Sequence, residues 1–89
     1  MIFFTVHFNN SFKRRFKKTD KSIRNKFKER LQMFLENPHH PLLRNHELTG
    51  NFQGKRSINI TGDWRAIYFE KEPGIVVFEL IGTHSMLYK

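Results

Sequence analysis

Residues 75–81 read Ile-Val-Val-Phe-Glu-Leu-Ile, a run broken by a single polar residue. A run of this length, bounded by Pro73-Gly74 and Gly82, suits a central strand buried on both faces. It therefore takes a neighbouring strand on either side. In a chain of 89 residues that leaves room for one sheet with helices packed on it, a single domain over residues 1–89.

The rest of the chain supplies those neighbours. Ile2, Phe4, Val6 and Phe8 alternate with Phe3, Thr5, His7 and Asn9, the period of a first strand. Asn9-Asn10-Ser11 offers N-cap chemistry. Phe12 and Phe16 follow, four apart, among Lys13, Arg14, Arg15, Lys17 and Lys18. Thr19-Asp20 is a second cap signal and predicts two helices in a hairpin rather than one bent helix. Ile23, Phe27, Leu31, Phe34 and Leu35 then share one helical face. Asn37-Pro38 ends it, because the residue before proline avoids the helical region. His39 to Gly54 reads as irregular. Lys55–Ile60 and Trp64–Glu70 alternate as strands around a tight turn at Thr61-Gly62-Asp63, and Glu72-Pro73-Gly74 turns the chain into the last strand. Gly82–Lys89 reads as a tail.

The predicted fold is α+β in the order β-α-α-β-β-β. Its antiparallel sheet carries two N-terminal helices on one face. Short connections make the last three strands a meander. Polar and aromatic positions are expected on the other sheet face.

Charge is unevenly placed. The net charge is +8, and ten of the sixteen basic residues lie between Lys13 and Arg30. Such an excess favours a polyanion or an acidic partner. There is no cysteine, which excludes disulfide scaffolds, thiolate metal sites and thiol catalysis. No apolar stretch approaches the length of a spanning helix, and Met1–Asn10 lacks the pattern of a signal peptide. A cytoplasmic chain that does not enter the membrane is expected.

Phosphate-binding glycine loops, zinc-protease motifs and nucleophile elbows are missing, and the eight acidic residues are scattered. His39 and His40 read as a solvated loop and His7 as structural. No metal or cofactor is expected. His46 and His84 are different, because both sit at strand ends, where reactive groups are displayed; a plain surface role is open for each. Asp63 suits its turn equally well. Arg56 and Arg65 suit either a phosphate contact or an ion pair. Trp64 and Tyr88 suit either stacking on bases or packing.

The block from His46-Glu47-Leu48-Thr49-Gly50 through Gly54-Lys55-Arg56 and Asp63-Trp64 to Gly82-Thr83-His84-Ser85-Met86-Leu87-Tyr88 resembles the RelE/ParE toxin superfamily, in its YafQ-like branch. The likeness covers the whole chain in element order and residues 44–88 in motif. It implies a toxin of a type II toxin–antitoxin system. That toxin would cut mRNA in the ribosomal A site without a metal and be neutralised by a cognate acidic antitoxin. The implied reaction is attack of a ribose 2′-OH on the adjacent phosphate, giving a cyclic phosphate and a 5′-OH.

Carried over residue by residue, the resemblance implies catalytic roles for His46, Asp63, His84 and Tyr88. The two histidines would be acid and base, Asp63 would orient or raise the basicity of a histidine, and Tyr88 is the closing aromatic. Arg56 and Arg65 would contact phosphate. The basic helix residues Lys13, Arg14, Lys17, Lys18 and Lys21 would dock on ribosomal RNA or on the antitoxin. The branch often has a histidine where Asn59 stands and an acidic residue where Ser57 stands. Asparagine hydrogen-bonds but transfers no proton at neutral pH, so a weakened nuclease is implied. Two alternatives stay open. One is a non-enzymatic module of the same fold, either a ParE-like gyrase inhibitor or a degenerate toxin that only binds its antitoxin. The other is a generic RNA-binding domain using the Lys13–Arg30 face.

Overall fold

The computed structural model describes residues 4–88, so Ile2 and Phe3 of the expected first strand lie outside the described residues. Strand β1 is Thr5–Phe8, followed by helices α1 (Asn10–Lys17) and α2 (Lys21–Glu36). Then come strands β2 (His46–Glu47), β3 (Arg56–Thr61), β4 (Trp64–Glu72) and β5 (Ile75–Thr83), and a final helix α3 (His84–Leu87). Single turns of 3-10 helix stand at Pro41–Leu43 and Gly50–Phe52.

The caps explain the helices. Asn9 Oδ1 accepts from the Phe12 amide at 2.9 Å and starts α1. The Thr19 hydroxyl donates to the Arg15 carbonyl at 2.8 Å and closes its end. The chain breaks there and restarts, so the two helices pair as expected, with the rings of Phe12 and Phe16 against Phe27. Asp20 sits at the N-cap of α2 without a side-chain cap bond. Asn37, extended at φ −157°, ends that helix before Pro38.

The sheet order is β1-β5-β4-β3-β2, with β5 interior as the apolar run requires. The meander is antiparallel. β1, however, pairs with β5 in parallel, Thr5 opposite Ile75 and Phe8 opposite Phe78. The sheet expected to be antiparallel is therefore mixed. Alternation along a strand sets its faces and leaves its direction open. β1 and β5 are separated by both helices and strands β2–β4, so no hairpin ties them antiparallel and a parallel pairing is open to them.

The helices cover one face. Ile58, Ile60, Ala66, Tyr68, Val76, Phe78 and Ile81 point into that core. Five rings, those of Phe8, Phe12, Phe27, Phe34 and Tyr68, lie 5.4–5.9 Å from Phe78. Each such pair contributes about 0.5–1.5 kcal/mol beyond its buried area. Trp64 and Tyr68 belong to this side, not to the open face where aromatic positions were expected. Leu35, grouped by spacing with the buried stripe, is 36% exposed, while its neighbour Phe34 is buried.

The second face of β5 is only half-covered, contrary to the expectation for its apolar run. Two helices suffice for one face of a five-stranded sheet, and the other receives only α3. Leu87 of α3 is buried and lies over Gly82, where an added Cβ would sit 3.2 Å from its Cδ2. No helix among the described residues is long and apolar enough to cross a membrane.

Candidate active site

The open face gathers its residues by strand register. His46 of β2 stands opposite Ser57 of β3, which stands opposite Ile67 of β4. One step along, Asn59 stands opposite Arg65, and Arg65 opposite Gly82. Directly opposed residues project to the same face, so His46, Ser57, Asn59 and Arg65 share the side away from α1 and α2.

Arg65 is anchored by one nitrogen. Its Nη1 donates to Asn59 Oδ1 at 2.5 Å, to the Gly62 carbonyl at 2.9 Å and to the Trp64 carbonyl at 3.0 Å. Nε and Nη2 make no hydrogen bond among the described residues, which leaves two donors of a rigid fork available to an oxyanion. Asn59 is thus the brace of the guanidinium.

His84 opens α3 at the rim of this face and is exposed. Its ring lies 4.7 Å from that of Tyr88, and Tyr88 meets Phe52 edge-on at 5.6 Å. The three packed rings join the tail to the segment that follows β2. Thr83 caps α3, its Oγ1 accepting from the Met86 amide at 3.3 Å. Lys55 pairs with Glu79 on the same side at 2.5 Å, so its charge is already met.

Asp63 touches His84 through the backbone. The His84 amide donates to the Asp63 carbonyl at 2.9 Å. The Asp63 side chain is exposed and makes no hydrogen bond to a histidine among the described residues. The expected orientation of a histidine by its carboxylate therefore does not occur in this geometry.

Arg56 lies on the other side of the sheet. It stands opposite the buried Tyr68, donates from Nε to Asn45 Oδ1 at 2.8 Å and pairs with Glu47 at 3.4 Å. It is thereby separated from the histidines, and its expected phosphate contact finds no support in this placement. Burial pushes the Tyr68 phenol up, against the opposing effects of Asn45 and Arg56.

The basic residues of α1 and α2 sit apart from the open face. Lys13, Arg14, Lys17 and Lys18 surround a shallow depression on α1. Lys13, Lys17, Arg24 and Lys28 also rim a groove floored by Phe8, Phe12, Phe16, Phe27 and Leu31. Lys21 opens α2 and is exposed. His40 is a structural cap, its Nδ1 accepting from the Leu42 amide at 3.1 Å. Among the described residues no three His, Cys, Asp or Glu side chains group as metal ligands.

Sequence reading missed Asn45 and Asn59 as braces of the two arginines. Their only signal was a polar residue beside a candidate histidine or at an alternating strand position.

Residues 2–89 match the family model described as the bacterial toxin of type II toxin–antitoxin system, YafQ. The chain belongs to the YafQ toxin family. Solved structures agree in fold. YafQ from E. coli superposes with a TM-score of 0.80 at 23% identity, covering 97% of this chain and 99% of that one. The E. coli DinJ–YafQ toxin–antitoxin complex gives 0.78 at 24% identity, with coverage of 99% and 100%. A YoeB/ParE toxin from Agrobacterium tumefaciens gives 0.74 at 19% identity, with coverage of 90% and 98%. Among curated protein sequences none matches. This YafQ-family chain is thus a type II toxin with the RelE-like fold.

Proposed function

We propose that this toxin is a metal-independent endoribonuclease that cuts mRNA in the ribosomal A site. The 2′-OH attacks the adjacent phosphate, the 5′-oxygen leaves, and a cyclic phosphate remains. His46 and His84 carry the two proton transfers, and histidine suits both because its ring titrates near neutrality. The free donors of Arg65 meet the charge that develops on the phosphorane. The tilted Tyr88 ring packs against His84 and steadies it, and the Asp63 carbonyl anchors the first amide of α3. The observation that carries this reading is the placement of His46 and Arg65 on one open sheet face whose rim bears the packed rings of His84, Tyr88 and Phe52.

Asn59 occupies the place of a proton-transferring group and instead holds Arg65, so turnover is slower than a third titrating side chain would allow. The basic helices dock on ribosomal RNA from the side opposite the site. An acidic cognate antitoxin neutralises the chain in the cytoplasm; the E. coli relative crystallised with DinJ supports such a partner.

Primer extension on cellular mRNA after induction tests the nuclease. The parent chain is expected to give discrete cleavage, and His84→Ala to lower it about 10²–10⁴-fold, the usual contribution of a general acid or base. Equal growth arrest by both, with intact mRNA, overturns the reading. Trapped DNA cleavage complexes would then identify a gyrase poison.

A further inference from the structure

The segment before β2 has an unusual backbone. Arg44 lies at φ +47°, ψ +43°, the one left-handed residue other than glycine among those described. That region is disfavoured for a residue bearing a Cβ, and such conformations persist where their surroundings over-determine them. Here Arg44 is the left-handed C-cap of the Pro41–Leu43 turn, its amide donating to the Pro41 carbonyl at 3.2 Å, and the side chain of the next residue, Asn45, ties that cap to the sheet. Its Nδ2 donates to the Pro38 carbonyl at 3.0 Å and to the Tyr68 hydroxyl at 2.7 Å. Its Oδ1 accepts from Arg56 Nε at 2.8 Å. Both amide donors and the acceptor are thus used, on the helix side of the sheet, against a tyrosine that is 5% exposed.

His46 follows at once and projects to the opposite, open face. Its Nδ1 lies 2.8 Å from the Arg44 carbonyl. A carbonyl oxygen only accepts, so Nδ1 carries the proton. In the neutral ring Nε2 then bears the lone pair, and on this exposed side chain it makes no hydrogen bond among the described residues.

We infer that Asn45 is a positioning residue: by clamping the left-handed turn at Arg44 it locks His46 in the Nδ1–H form and presents Nε2 as the base that takes the 2′-OH proton. The inference rests on the nuclease reading for its chemistry and assigns the acid to His84. The proton passes from the 2′-oxygen to His46 Nε2 as the new O–P bond forms. His84 gives a proton to the 5′-oxygen as that O–P bond breaks.

Two readouts test it on the full chain. Long-range ¹H–¹⁵N correlations of the imidazole at mildly alkaline pH report the tautomer, and single-turnover cleavage of ribosome-bound mRNA reports the rate. The parent should show His46 as Nδ1–H. Asn45→Ala should give a mixture with Nε2–H and a rate about tenfold or more lower, because a mispresented base forfeits part of its assistance. Substrate affinity should stay within about twofold, since no binding interaction is removed. Tyr68→Phe removes one anchor, should act in the same direction by less, and carries the test if Asn45→Ala fails to fold. An Nε2–H ring in the parent overturns the inference, as does an Asn45→Ala chain that keeps both tautomer and rate. A parent chain that holds Nδ1–H, loses it on Asn45→Ala, yet cuts no mRNA sinks the nuclease reading and leaves the clamp standing.

Discussion

Ser57 is fully buried, and its hydroxyl has no hydrogen-bond partner among the described residues. An unpaired buried hydroxyl costs its desolvation without a compensating bond. Ser57→Ala is therefore expected to leave stability unchanged or raise it by up to about 1 kcal/mol, measured by urea unfolding. The acidic residue that the resemblance suggested for this position would be a buried carboxylate between Ile67 and His46 in the strand register, and burying a charge without a paired cation is far more costly. At this scale the sequence showed which residues of a strand share a face, because alternation is local, but not that Trp64 and Tyr68 would take the helix side. It did not show the Arg65–Asn59 brace or the Asn45 clamp, because each joins strands brought together only by register.

The end of β5 and the helix after it form a unit with one adjustable contact. Gly82 lies beneath Leu87, and a methyl group there would come within 3.2–3.3 Å of that side chain. Gly82→Ala should shift Leu87, and α3 with it, by a few tenths of an ångström and so move His84. Overpacking of this kind costs about 1–3 kcal/mol, read as a lower Tm, and cleavage should fall by more than substrate binding does. Unchanged cleavage would mean that α3 tolerates displacement. The two long helices and three long strands were legible because each repeats its period several times. β2 has two residues and α3 four, too few for any period to register, and both came out as loop or tail. They also carry the two histidines, so the elements least visible in the sequence are those that place the candidate chemistry.

Across the whole molecule the helix cations and the candidate site lie on opposite sides of one sheet. α1 and α2 carry the basic excess and cover the face that holds the phenylalanine core, while His46, Asn59 and Arg65 occupy the other. Charge reversal of Lys17, Lys18 and Lys21 to Glu should weaken binding to ribosomes or RNA. It should also flatten the dependence of log K on log salt, by up to about 0.7–0.9 for each phosphate no longer neutralised. Cleavage of saturating RNA should hold; its loss would place these lysines in the site. The amino-acid order alone specified the fold class, the helix breaks, the interior strand and the basic helices. These follow from local periodicity, caps and charge. The direction of β1, the exposure of Leu35 and the removal of Arg56 from the histidines were settled by strand pairing and packing. Those interactions join residues far apart in the chain, and no local pattern encodes them.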